Sequence, residues 1–124
     1  MLGEEISVKK LILPEVVRGQ TYAIETGCGV LFVTVNEIDN KPFEVFSTLG
    51  KAGGCAAAQC EIIGRLISYG LRIGGDIQEL ILQLKGISCF ERRDTSFSCA
   101  DAVGRVLETY LQTVLGDKNG EDMV

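Results

Sequence analysis

The sequence predicts an α+β domain: a three-stranded antiparallel meander followed by three helices, with a cysteine site at one end of the sheet. Two patterns carry this. Runs rich in β-branched and aromatic residues, broken by turn residues, are confined to the first fifty positions. After Gly53-Gly54 the apolar residues change to helical spacing and do not change back. Consecutive strands joined by short turns form a meander, and strands followed by helices give the α+β class.

The elements follow in order. Residues 1–18 read as an N-terminal arm in which Val8, Leu11, Leu13 and Val16 can dock on the domain, while Pro14 argues against a long regular element. Thr21 to Thr26 alternates, with Tyr22 and Ile24 on one face and Thr21, Ala23 and Glu25 on the other. Gly27-Cys28-Gly29 is a turn, and Val30 to Glu37 a second strand. Asp39-Asn40-Lys41-Pro42 is a hairpin loop by its turn chemistry, leading to a third strand from Phe43 to Leu49. Cys55 to Ile73 places Ala56, Ile63, Leu66, Ile67 and Leu71 at the apolar spacing of a helix, and Gly74-Gly75 stops it. Asp76 with Glu79 caps a short helix to about Lys85. After a loop over 86–97, Ser98 caps a last helix running to about Leu115, whose apolar face is Val103, Val106, Leu107, Tyr110, Leu111 and Val114. The domain proper is thus 19–116, with a polar tail over 117–124.

Composition narrows the function. The chain has 124 residues and a net charge of −5, which argues against bulk attraction to nucleic acid or an anionic membrane. No apolar run approaches the ~20 residues of a membrane span, and Met1 to Lys10 lacks the apolar core of a signal peptide. A cytoplasmic location is the expectation. There is no histidine, so the commonest general base is missing and any transition-metal site must rest on thiolates. Five cysteines in a reducing compartment stay reduced, as core residues, metal ligands or catalytic thiols.

The cysteines stand at 28, 55, 60, 89 and 99, and no pair has the C-x₂-C spacing of a zinc ribbon. Topology says more than spacing. In a hairpin centred near residue 40, Cys28 faces a residue close to Cys55. The first helix runs away from that end for ~28 Å and the second returns for ~15 Å, so Cys89 comes back to it, with Cys99 ten residues further on. Cys55 and Cys99 fall at helix N-termini and Cys28 between two glycines, settings that favour a thiolate. Four thiolates suit zinc first and iron second. On the residues alone, a metal site and buried cysteines serving as small hydrophobes stay equally open. Cys60, inside the first helix, reads as a packing residue.

With these residues in hand, the sequence resembles the TSCPD domain, the C-terminal region of many adenosylcobalamin-dependent (class II) ribonucleotide reductases and of small free-standing relatives. The matching segments are Thr26-Gly27-Cys28-Gly29 with Leu31 to Asn36, Pro42 to Phe46, Gly50 to Gln59, Ile63 to Ser68, Gln83 to Cys89, and Ser98 to Ala102. The resemblance selects Cys28, Cys55, Cys89 and Cys99 and leaves Cys60 out. It implies zinc, a role beside a ribonucleotide reductase catalytic chain, and no adenosylcobalamin bound by this chain alone. The motif Thr-Ser-Cys-Pro-Asp reads Phe97-Ser98-Cys99-Ala100-Asp101 here, so the threonine and the helix-starting proline are replaced. Phe90 also stands where the reductase versions often carry proline. The several hundred residues of the reductase's catalytic barrel have no room in this sequence, and its last residues carry no redox cysteine pair.

The functional expectation is therefore a zinc-stabilised accessory module in deoxyribonucleotide synthesis, without an active site of its own. The alternatives are a thiol–disulfide relay to a reductase and an iron–sulfur or metal carrier. Three lesser signals remain. Gly50-Lys51-Ala52-Gly53-Gly54 suggests an anion cradle that Arg65 could join, but it lacks the Gly-Lys-Ser/Thr ending of a phosphate loop. Phe90 and Phe97 could contact a partner or pack over the site. Homo-oligomerisation stays open.

Overall fold

A computed structural model describes residues 14–50, 54–88 and 97–118, and the side chains up to residue 114 in the last helix. The expectations for the arm before Pro14, for Lys51 to Gly53, for Cys89 and Phe90, and for the end of the tail lie outside the described residues. Strands β1 (Arg18–Thr26), β2 (Gly29–Ile38) and β3 (Lys41–Leu49) form one sheet in the order β1-β2-β3, and helices α1 (Gly54–Arg72), α2 (Ile77–Leu84) and α3 (Cys99–Lys118) follow. This is the α+β meander with three helices that the patterning predicts.

Both strand pairs are antiparallel, with Leu31 opposite Leu49 and Val35 opposite Val45. The register shifts at Asn36/Glu37, so the β2–β3 turn is only Asp39-Asn40, each in the left-handed region (φ 53° and 64°). Two positive φ values are what a two-residue hairpin turn requires, and Asp and Asn tolerate them best after glycine. Lys41 and Pro42 consequently belong to β3 and not to the loop. The proline is tolerated because β3 is an edge strand.

One face of the sheet is buried under the helices. Leu31, Val33, Val35, Val45 and Leu49 meet Cys60, Ile67 and Leu71 of α1, Ile81 of α2, and Ala102, Val103, Val106, Leu107 and Tyr110 of α3, and Phe43 is buried as well. Each large apolar side chain so buried contributes about 1.5–3 kcal/mol relative to exposure. The opposite face carries Phe32 and Phe46, both exposed.

The packing of α1 corrects one sequence expectation. Leu66 is not on the buried face but 64 % exposed. The helix turns Gly64 and Ser68 to the backbone of β3: a Cβ at Gly64 would come within 3.0 Å of Ser47 N and Val45 O. Ser68 Oγ accepts from the Val45 N–H at 2.8 Å and lies 2.9 Å from the carbonyls of Val45 and Gly64. A small residue and a hydroxyl thus cap the open edge of β3, and this rotation carries Leu66, Ile62 and Tyr69 to the outside. Gly104 plays the matching part in α3, where a Cβ would stand 3.0 Å from Leu84 Cβ and 3.2 Å from Lys85 N.

At the far end, the β2–β3 hairpin and the α1–α2 turn enclose a cavity of about 740 Å³ lined by residues such as Ile38, Phe43, Leu71 and Ile77. Among the described residues no helix is long and apolar enough to cross a membrane.

Candidate functional site

The β1–β2 connection is the two-residue turn Gly27-Cys28. Thr26 braces it: its Oγ1 accepts from the Cys28 N–H at 3.1 Å and donates to the Gly29 carbonyl at 2.7 Å. Gly29 has φ 126°, a conformation that a side chain rarely adopts. The turn is then joined to a distant segment. The Gly27 N–H donates to the Phe97 carbonyl at 3.1 Å, and Thr26 and Phe97 form a parallel bridge. Two residues after Phe97, Cys99 opens α3. Ser98 caps that helix as the sequence predicts, accepting from the Asp101 N–H at 3.0 Å through its hydroxyl and from the Ala102 N–H at 2.8 Å through its carbonyl.

This joint brings Cys28 and Cys99 together. Both are part-buried, and Cys28 and Thr26 are close enough to the Cys99 sulfur to lower its pKa. Cys60 approaches the same place from the core side of α1. It is fully buried, in keeping with a packing role, and it is close enough to Cys99 for each thiol to shift the other's pKa. Sequence reasoning missed this second contact. The available signal was that the seventh residue of α1, on the face toward β3, looks to the same sheet end as Cys28.

Burial governs the chemistry of these thiols. It pushes the Cys99 thiol up to about 11, with the neighbouring Cys60 adding to the rise and Thr26 and Cys28 opposing it. Burial raises Cys60 too. The expectation that a helix N-terminus would favour a thiolate is therefore overturned for Cys99 in the metal-free protein. The dipole acts in competition with desolvation of the charged sulfur, and desolvation wins.

Cys55 is placed differently. It is the second residue of α1 and is exposed. The chain leading to it leaves β3 at the cysteine end, where the Gly50 N–H donates to the Val30 carbonyl at 2.8 Å. Cys89 lies outside the described residues, but the chain that leads to it does not. The Gly86 N–H donates to Asp101 Oδ1 at 3.1 Å, and the Ile87 carbonyl accepts from Ser98 Oγ. Asp101 also accepts from Arg105 Nε at 3.0 Å, and the Arg105 guanidinium rests 4.6 Å over the centre of the Phe97 ring. The Phe97 ring thus packs against the core under Arg105, while its backbone forms the joint.

Of the four cysteines that the resemblance selects, the described residues bring Cys28 and Cys99 into contact and set Cys55 at the same end of the sheet. The donors are soft sulfurs, which fit zinc or another thiophilic metal. No three of the described Cys, Asp and Glu side chains form a group that could hold a metal ion. Arg65 takes no part, since it pairs on the surface with Glu61 at 2.7 Å.

No protein of curated function and no solved structure is recognisably similar to this chain. The family model of the TSCPD domain matches residues 6–111. Among the described residues that span takes in the three strands and, but for the end of the last, the three helices; it also holds every cysteine, so the chain belongs to the TSCPD domain family.

Proposed function

We propose that this chain is a zinc-stabilised module, with Cys28, Cys55, Cys89 and Cys99 as the metal's ligands, that serves beside an adenosylcobalamin-dependent ribonucleotide reductase or as a free-standing relative of its C-terminal domain. The carrying observation is the contact between Cys28 and Cys99. They are far apart in sequence and are joined through the Thr26–Phe97 bridge and the Gly27–Phe97 hydrogen bond. Four thiolates would close the coordination sphere and leave no open position for substrate, so the metal would supply stability and a fixed surface. Since the Cys99 thiol is pushed up to about 11 without metal, binding zinc must release its proton, and affinity should fall as pH falls. The reductase as partner and the cytoplasm as location rest on the family resemblance.

The contact between Cys60 and Cys99 favours a second reading, a thiol–disulfide relay. Against it stands the burial of both sulfurs, which keeps them as thiols at neutral pH, while exchange needs a thiolate. Metal analysis by mass spectrometry on protein purified without chelator, with a thiol count under denaturation, separates the two. About one zinc per chain is expected, unchanged in Cys60→Ser and lost when any of the four ligands is replaced by serine. Absence of metal with two or more thiols oxidising reversibly would establish the relay instead. Loss of zinc in Cys60→Ser would overturn the ligand set.

A further inference from the structure

We propose that the open edge of β1 docks a second copy of this chain, pairing antiparallel with the same edge of that copy about a twofold axis near Tyr22, so that two three-stranded sheets join into one of six strands. This goes beyond the zinc-module reading and does not depend on it.

The register tells which groups the edge offers. The Val45 N–H donates to Ser68 Oγ of α1, so Val45 turns its backbone groups away from β2. Val35 stands opposite Val45, and Gln20 opposite Val35. Along an antiparallel ladder, residues that bond to one neighbour alternate with those that face the other way. Gln20, Tyr22 and Ile24 therefore bond to β2, while Gly19, Thr21, Ala23 and Glu25 turn their N–H and C=O groups outward. The alternation holds one step further, where Gly27 donates outward to the Phe97 carbonyl. That bond and the Thr26–Phe97 bridge close one end of the edge. The four outward residues before it are exposed, and among the described residues no strand pairs with them.

The two flanks of the sheet are treated differently. On β3, Ser68 occupies the backbone groups of Val45, Gly64 lies close against Ser47 N, and Pro42 brings no N–H. On β1 the usual safeguards of an edge are missing: the strand has no proline and no lysine, and no bulge interrupts its pairing with β2. Thr21 and Ala23 are small, and on the core side Tyr22 and Ile24 are only part-buried.

A second copy fits this edge. Because the β3 flank is closed, β1 of one copy cannot add to β3 of the next, which leaves a closed pair made by β1 with β1. Antiparallel pairing sets Arg18 of each copy towards Glu25 of the other, whereas parallel pairing would set like charges side by side. The same twofold keeps the helices of both copies on one face of the joined sheet and brings the part-buried Tyr22 against its counterpart.

Sedimentation equilibrium on the full chain, from micromolar to millimolar concentration, should show a reversible dimer. Ala23→Pro removes an outward N–H that the β1–β2 ladder does not use. Its far-ultraviolet circular dichroism should match the parent, while the dimer dissociation constant rises about tenfold or more, since two hydrogen bonds are lost per dimer. Amide exchange on the parent needs no variant. The Thr21 and Ala23 amides should slow about tenfold or more as concentration rises through the dissociation constant, while those of Tyr22 and Ile24, bonded to β2, change little. A chain that stays monomeric throughout would overturn the proposal and leave the edge to an extended segment of another protein. A dimer that Ala23→Pro leaves at the parent's dissociation constant, or whose Thr21 and Ala23 amides ignore concentration, would overturn it by placing the contact on another surface.

Discussion

Cys55 and Cys99 both stand in the first turn of a helix, yet they occupy opposite physical settings. Cys99 opens a helix whose cap is complete, with Ser98 on the Asp101 N–H, and whose start is clamped to the β1–β2 turn. It is part-buried against Cys28 and Cys60, and its thiol is pushed up to about 11. Cys55 follows Gly54, which has φ 87° and nothing within 4 Å of where a Cβ would stand, in a helix with no acidic residue in its first turn. The side chain is exposed. The shared helix dipole is thus a minor influence, worth typically 0.3–1 kcal/mol at an exposed site. What distinguishes two such cysteines is whether the rest of the fold closes over the sulfur.

The sharpest way to break this comparison is to remove each sulfur in turn. Under the zinc reading, Cys99→Ser and Cys55→Ser both abolish metal binding, and each should cost the metal-loaded protein more than about 4 kcal/mol. Without metal they should part. Cys99→Ser should still destabilise measurably, since a hydroxyl replaces a sulfur packed among Cys28, Cys60 and Thr26. Cys55→Ser, at an exposed position, should stay within about 0.5 kcal/mol of the parent. Urea unfolding of each variant, with and without zinc, checks all four values. Equal losses in the metal-free state would show that Cys55 is as well packed as Cys99.

A smaller effect comes from the anchoring of α1 itself. Its start is exposed, but Ser68 near its other end fastens it to the edge of β3. Ser68→Ala leaves the buried Val45 N–H without this partner and should cost about 1–3 kcal/mol. Amide exchange should quicken at Val45 and along the second half of α1, and much less around Cys99. A change confined to the first turn of α1 would mean that the helix is held from its cysteine end instead.

These contrasts also show how much of the molecule could be read from its sequence. The strand alternation at Tyr22 and Ile24 and the caps Asp76 and Ser98 are local chemistry, and each stands where the sequence puts it; the hairpin does so too, though it turns on Asp39-Asn40 alone and gives Lys41 and Pro42 to β3. The meeting of Cys28 with Cys99 follows from strand register and helix length, which are nearly as local. The side of α1 that is buried was only partly legible. Hydrophobicity points to Leu66, but the contact is made by Gly64 and Ser68, whose smallness matters more than their polarity. The raised Cys99 thiol was not legible at all. It arises from burial contributed by three elements distant in sequence, and helix position alone suggests the opposite sign.

The last test sharpens the comparison without a large change in stability. In metal-free protein, Cys55 should be alkylated first at every pH because it is exposed. The rate at Cys99 should keep climbing as pH rises through about 11, since the thiolate is the reacting species. The sign of the linked stability follows. The folded-state value lies above the ordinary thiol value of 9.0, so the folded protein holds this proton more tightly than the unfolded chain does. The contribution is complete below pH 9.0 and is lost as pH rises through about 11. In Cys60→Ala the neighbour that helps to raise Cys99 is gone, while most of the burial stays. The onset of Cys99 alkylation should move to lower pH but remain above that of an unfolded control. A move all the way to the control would make Cys60 the main cause, and burial by the surrounding fold the lesser one.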